Sequence, residues 1–165
     1  MRQPGAEKQF EKYLRENELL IYKICRLYTH TDTERQDLFQ EVVIQLWKAF
    51  PDFKGRSKFS TWLYRVALNT AITGLRKQKN FIDTYEPATL PQRIDENTSI
   101  EDEERLSQLY KSIEKLNKVE KAIVMLYMEE KSYDEMEDIL GITQGNLRVK
   151  MSRIKEKLRQ LAKTT

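Results

Sequence analysis

One cysteine and one histidine are all that 165 residues supply of the two side chains that most readily ligate metals or attack substrates. A lone Cys25 excludes an internal disulfide and a lone His30 leaves no metal-ligand cluster, so no cofactor is expected. Cys25 stands among Ile21, Ile24 and Tyr28 and reads as a small core residue rather than a nucleophile. No apolar run approaches the ~20 residues that a membrane-spanning helix needs. The opening MRQPGAEKQF has none of the apolar core of a secretion signal, so a cytoplasmic protein without membrane insertion is expected. A Ser/His/Asp set, a paired-carboxylate pocket signal and a phosphate-cradling Gly loop are all missing, and an enzyme is not expected. Only 5 Gly and 4 Pro accompany 33% charged and 39% hydrophobic residues, which suits a soluble, mostly helical chain.

The net charge of +3 conceals an uneven distribution. Residues 1–80 carry 15 basic and 9 acidic side chains, residues 81–105 carry 2 and 8, and residues 106–165 carry 12 and 9. Two basic segments flank an acidic one.

The most informative stretch is SYDEMEDILGITQGNLRVKMSRIKEK, Ser132 to Lys157. Ser132 and Glu135 have the spacing of a capping box, which predicts a helix from Tyr133, with Tyr133, Met136, Ile139 and Leu140 on its apolar face. Gly141 supplies a left-handed stop, and Thr143 can cap a second helix. That helix has an apolar stripe of Leu147, Met151, Ile154, Leu158 and Leu161. Its other face holds Gly145, Arg148, Val149, Ser152 and Arg153, flanked by Lys150, Lys155 and Lys157. From Gln144 onward there are seven Lys or Arg and one acid, Glu156. The pattern fits either a plain helical hairpin with a solvated basic face or a DNA-reading helix-turn-helix; the one-sided charge favours DNA. In the second case Arg148 would suit a guanine edge, Val149 a thymine methyl, and Lys150, Arg153, Lys155 and Lys157 the phosphates.

Toward the N-terminus, residues 7–29 are expected to form one helix, with Phe10, Tyr13, Leu14, Leu20, Ile21, Ile24 and Tyr28 as its stripe. A second is predicted from about Thr33 to Phe50, ended by Pro51. A wheel puts Leu38, Phe39, Val42, Val43, Leu46, Trp47 and Phe50 inside, and Asp37, Gln40, Glu41, Ile44 and Lys48 outside. The outer group is a solvated face with one stray aliphatic residue or a protein-docking patch. After the basic loop DFKGRSK, a third helix runs from about Ser60 to Lys77. Leu63, Ala67, Leu68, Ala71 and Leu75 face inward, whereas Trp62, Arg65, Val66, Asn69, Thr73 and Arg76 cluster outside. Such a set can stack a base, bond its edge and hold phosphate, as a surface for melted DNA requires. The alternative for Trp62 is packing against the preceding loop.

Residues 80–99 contain Pro87, Pro91 and several acids without periodicity, and read as a linker. Beyond it a helix is predicted from about Ile100 to Leu116, with Leu106, Leu109, Tyr110 and Ile113 as its stripe. Another, capped by Asn117 with Glu120, should run through Met128. The expected fold is all-α: two small helical domains, residues 1–79 and 100–165, joined by a flexible acidic linker, the second containing the helix-turn-helix.

These segments together resemble the bacterial sigma factors of the extracytoplasmic-function type, in the sigma-70 family. The resemblance rests on DLFQEVVIQLW (Asp37–Trp47), KFSTWLYRVALNTAI (Lys58–Ile72) and LRK, and then on LNKVEKAIVMLYMEEKSYDEM and LGITQGNLRVKMSRIKEKL. It implies a transcription initiation factor that brings core RNA polymerase to promoters, binding through the β′ clamp helices and the β subunit. By position it implies polymerase docking by Asp37, Gln40, Glu41, Ile44 and Lys48. Minus-ten recognition and melting would fall to Lys54, Arg56, Lys58, Trp62, Arg65, Asn69 and Arg76. Minus-thirty-five recognition would fall to Gln144, Gly145, Asn146, Arg148, Val149, Lys150, Ser152, Arg153, Lys155 and Lys157. The linker would thread the RNA channel, and an anti-sigma factor is an expected partner. Two positions depart from the pattern. Glu137 stands where a helix-turn-helix usually has a small residue, and Thr73 where the family commonly has Asp.

Two other readings compete. A conventional helix-turn-helix regulator would leave the Asp37–Lys48 and Trp62–Arg76 faces unused, and a helical adaptor without DNA binding would leave the basic final helix unexplained.

Overall fold

The computed structural model describes residues 5–55, 58–73 and 100–163, and every regular element among them is helical. The chain divides into two compact units, Met1–Leu90 and Pro91–Thr165. The expected linker at residues 80–99 lies outside the described residues.

In the first unit, residues 7–29 form two helices instead of one: α1 (Ala6–Glu16) and α2 (Glu18–Tyr28). Asn17 breaks them apart. Its side-chain nitrogen donates to the Tyr13 carbonyl at 2.7 Å, and its backbone N–H turns back to the Leu14 carbonyl at 3.1 Å. An Asn that bonds its own local backbone competes with the helical ladder, which the apolar stripe alone does not reveal. Next comes α3 (Asp32–Ala49), whose first turn is capped by Thr31, with Oγ1 accepting the Glu34 N–H at 3.1 Å. The Glu34 carboxylate accepts the His30 N–H at 2.9 Å, and this bond holds its pKa below the ordinary value. Pro51 sits in a single 3-10 turn, Phe50–Asp52, before the loop that leads to α4 (Phe59–Thr73).

α2, α3 and α4 pack against one another, so α3 buries one side against α2 and another against α4. Leu14, Ile21, Ile24, Leu46, Leu63 and Leu68 are fully buried. Each such side chain contributes about 1.5–3 kcal/mol relative to exposure. Cys25 is buried with them, and burial pushes its thiol pKa up to about 12, against a smaller lowering by Arg35.

The second unit contains α5 (Ile100–Glu114), α6 (Lys118–Met128), α7 (Tyr133–Leu140) and α8 (Gln144–Lys163). Two capping boxes fix helix starts as the spacing predicts. Asn117 Oδ1 accepts the Glu120 N–H at 2.8 Å while Glu120 Oε1 accepts the Asn117 N–H at 3.0 Å, and Ser132 and Glu135 repeat the arrangement. Gly141 ends α7 at φ 70°, the left-handed region that favours glycine. α8 packs on α5, α6 and α7, with Leu147, Met151 and Ile154 buried beneath it. The stripe expected on α5 is buried only toward its end: Ile113 is enclosed, whereas Leu106 is 46% exposed.

Candidate functional site

The loop before α4 is shaped by aromatic packing. Trp62 lies 5.2 Å from Phe53, 5.3 Å from Phe59 and 6.3 Å from Phe50, measured between ring centroids. Phe59 stacks on Tyr13 of α1 at 4.6 Å, and Phe10 meets Trp47 of α3 at 5.0 Å. Rings at these separations and tilts add favourable quadrupole contacts to the area they bury. Trp62 is only 8% exposed, which corrects its placement on the outer face: its ring packs against the preceding loop. Position on a wheel drawn for α4 alone cannot register the rings of Phe50 and Phe53, delivered by the 3-10 turn and the loop.

The remaining outer face of α4 consists of exposed Arg65, Asn69 and Thr73, at steps of four, with half-buried Val66 beside them. Thr73 Oγ1 donates to the Asn69 carbonyl at 2.8 Å, a use that its hydroxyl has within the helix itself. Lys54 and Lys58 are exposed at the two described ends of the loop. Arg56 and Arg76 lie outside the described residues.

The expected outer face of α3 is narrower than the wheel draws it. Asp37 and Lys48 are exposed and Gln40 is half-buried, but Glu41 and Ile44 are buried, at 7% and 6% exposure. A wheel with one inner side assumes one packing neighbour, and α3 has two. Buried Glu41 keeps a polar partner, accepting a hydrogen bond from Gln45 Nε2 at 2.9 Å.

On α8 the expected separation of faces is present. Gly145, Asn146, Arg148, Val149, Lys150, Ser152, Arg153, Lys155 and Lys157 are all exposed; on the opposite side Leu147, Met151 and Ile154 are buried, and Leu158 and Leu161 half-buried. A Cβ added at Gly145 would meet nothing within 4 Å, so no internal contact requires glycine there. Gln144 differs from the others. It is half-buried, and its Nε2 donates to Asp134 Oδ1 at 2.9 Å and to Glu137 Oε2 at 3.2 Å, tying the start of α8 to α7. Glu137 therefore fits at a small-residue position by turning its carboxylate to a partner across the turn.

Three side chains that the sequence pattern did not connect with the cationic face hold it: Tyr133, expected on the apolar side of α7, Glu120, expected only as a cap, and Tyr127. The Arg148 guanidinium lies over the Tyr133 ring at 5.0 Å, and Lys155 Nζ over the Tyr127 ring at 4.7 Å. Lys157 Nζ reaches Glu120 Oε1 at 3.2 Å. These partners come from α6 and α7, so no local spacing announces them. Among the described residues, no group of three or more His, Cys, Asp or Glu could hold a metal ion. No helix among them is long and apolar enough to cross a membrane.

Comparison with known proteins adds sequence and fold evidence. Residues 13–81 match the model of Sigma-70 region 2, and residues 106–158 match that of Sigma-70, region 4. The chain is 31% identical over 152 residues to the ECF RNA polymerase sigma factor SigW of Bacillus subtilis, covering 85% of this chain and 81% of that protein. It is 26% identical to the RNA polymerase sigma-H factor of Pseudomonas aeruginosa, covering 93% of this chain and 86% of that one. The fold is similar to that of the sigma factor RpoE from Bartonella quintana, solved in complex with the anti-sigma factor NepR. The TM-score is 0.70 at 17% identity, over 94% of this chain and 98% of that one.

Proposed function

The chain belongs to the sigma-70 family, as an RNA polymerase sigma factor of the extracytoplasmic-function type that directs the polymerase to promoters, and we propose that its two units divide that work between protein docking with strand opening and duplex reading. It acts by binding and is not an enzyme.

In this proposal the second unit reads the minus-thirty-five element. The observation that carries it is the front of α8: exposed Arg148, Val149 and Ser152 opposite buried Leu147, Met151 and Ile154, with the exposed cations Lys150 and Arg153 beside them. The first three meet base edges in the major groove and the two cations hold phosphates. Gln144 contributes by fixing the start of α8 against α7, and Lys155 and Lys157 by their ties to α6 as well as by charge.

The first unit docks on the polymerase β′ clamp helices through Asp37, Gln40 and Lys48, the members of the α3 group that reach the surface. Glu41 and Ile44 support that face from beneath. Minus-ten recognition rests on Lys54, Lys58, Arg65 and Asn69, with Arg56 and Arg76 assigned by sequence position alone. Trp62 holds the loop in shape for the extruded bases, and binding those bases offsets the few kcal/mol of unstacking. Residues 80–99 serve as the acidic connection between the units. The anti-sigma factor named with the Bartonella relative supports a regulatory partner of the same kind here.

The docking face is tested by Asp37→Arg and Lys48→Glu in pull-downs of core RNA polymerase, with circular dichroism as the control for folding. Both changes are at exposed positions, so native helix content with loss of core-enzyme capture is the expected result. Undiminished capture by both variants would place docking elsewhere.

A further inference from the structure

Arg148 is exposed on α8, yet its guanidinium carbon lies 5.0 Å from the centroid of the Tyr133 ring. Among the described residues Arg148 has no ion pair. The nature of this contact matters. A carboxylate would hold a guanidinium by taking up its N–H donors and cancelling its charge. An aromatic face holds it through the ring quadrupole and leaves the forked donors open. The backbone that carries the half-buried ring is anchored. Tyr133 is the first residue of α7, immediately after Ser132, whose capping box with Glu135 fixes that helix start. The Gly141 turn and the Gln144 bonds then fix α7 against α8.

We propose that Tyr133 is a positioning residue for sequence reading: its ring holds the Arg148 guanidinium at one place on the α8 front with its donors free for the two acceptors of a guanine edge. This rests on the reading of α8 as the duplex-reading helix. A flexible arginine loses rotamer freedom when it engages a base, and an arginine already resting on a ring has less to lose. Tyr133 thus acts on discrimination at one base pair, through Arg148, and not on general affinity.

The test uses the full chain assembled with core polymerase. A randomised upstream-element library first yields the preferred sequence, and Arg148→Ala identifies the base pair that Arg148 reads. Binding to the four base variants at that pair is then compared for wild type, Tyr133→Phe and Tyr133→Leu, each checked for a native unfolding transition. Tyr133→Phe keeps the ring and should keep the guanine preference. Tyr133→Leu should reduce that preference about two- to fivefold, the size of an exposed cation–π contact. Other positions should be unchanged, and the same substitution should do nothing further in an Arg148→Ala background. A preference that survives in Tyr133→Leu, or an equal loss at every position, would overturn the positioning role while leaving α8 as the reader. Absence of any selected duplex sequence, or an Arg148→Ala variant with unaltered preference, would overturn both.

Discussion

Lys157 of α8 reaches across 37 positions of chain to Glu120 of α6, its Nζ 3.2 Å from Oε1, and Glu120 is the same residue that closes the capping box with Asn117. One carboxylate therefore starts α6 and tethers the far half of α8. The charge of Lys157 is partly committed inside the protein, whereas Lys150 and Arg153 are exposed without an ion pair among the described residues.

This difference predicts how salt affects upstream DNA binding. Lys150→Ala and Arg153→Ala should each reduce the slope of log affinity against log salt by about 1, the signature of one lost phosphate contact. Lys157→Ala should change the slope less and lower stability by no more than about 1 kcal/mol, as expected for an exposed ion pair. Fluorescence anisotropy across a salt series, with urea unfolding beside it, checks both. Equal slope changes for all three would mean that the Glu120 tie is released on DNA.

Trp62 leads to a stability prediction. Removing its ring from contact with Phe50, Phe53 and Phe59 should cost about 3–5 kcal/mol, as for other large aromatic deletions. Trp62→Phe should recover most of that. Urea unfolding is the measurement, and a loss below about 1 kcal/mol for Trp62→Ala would remove the ring from the cluster.

Gly145 occupies a helical position where the fold has no use for glycine. Gly145→Ala should therefore stabilise the protein by about 0.4–1 kcal/mol, chiefly by restricting the unfolded chain. If DNA comes close to this turn of α8, the added methyl group should weaken upstream binding at the same time. Higher stability with unchanged DNA affinity would show that the duplex does not approach Gly145.

Much of this architecture is legible from sequence because it is local. The capping boxes at Asn117 and Ser132, the stop at Gly141 and the two faces of α8 all follow from residues three or four apart. What spacing could not show depends on neighbours from elsewhere in the chain. The burial of Glu41 and Ile44 follows from α3 packing against both α2 and α4, and the burial of Trp62 from rings on the 3-10 turn and loop. The ring beneath Arg148 and the carboxylate beside Lys157 belong to other helices. The break at Asn17 is local, but its signal is a single side-chain bond set against an apolar stripe that runs through it.

The most direct measurement is reconstitution of transcription. Bacterial core RNA polymerase and the full chain would be combined on genomic promoter fragments, with run-off transcription and permanganate footprinting read together. The account predicts discrete start sites with melted DNA, lost with Asp37→Arg and shifted in upstream preference with Arg148→Ala. Duplex binding without any association with core enzyme, and no start sites, would contradict it.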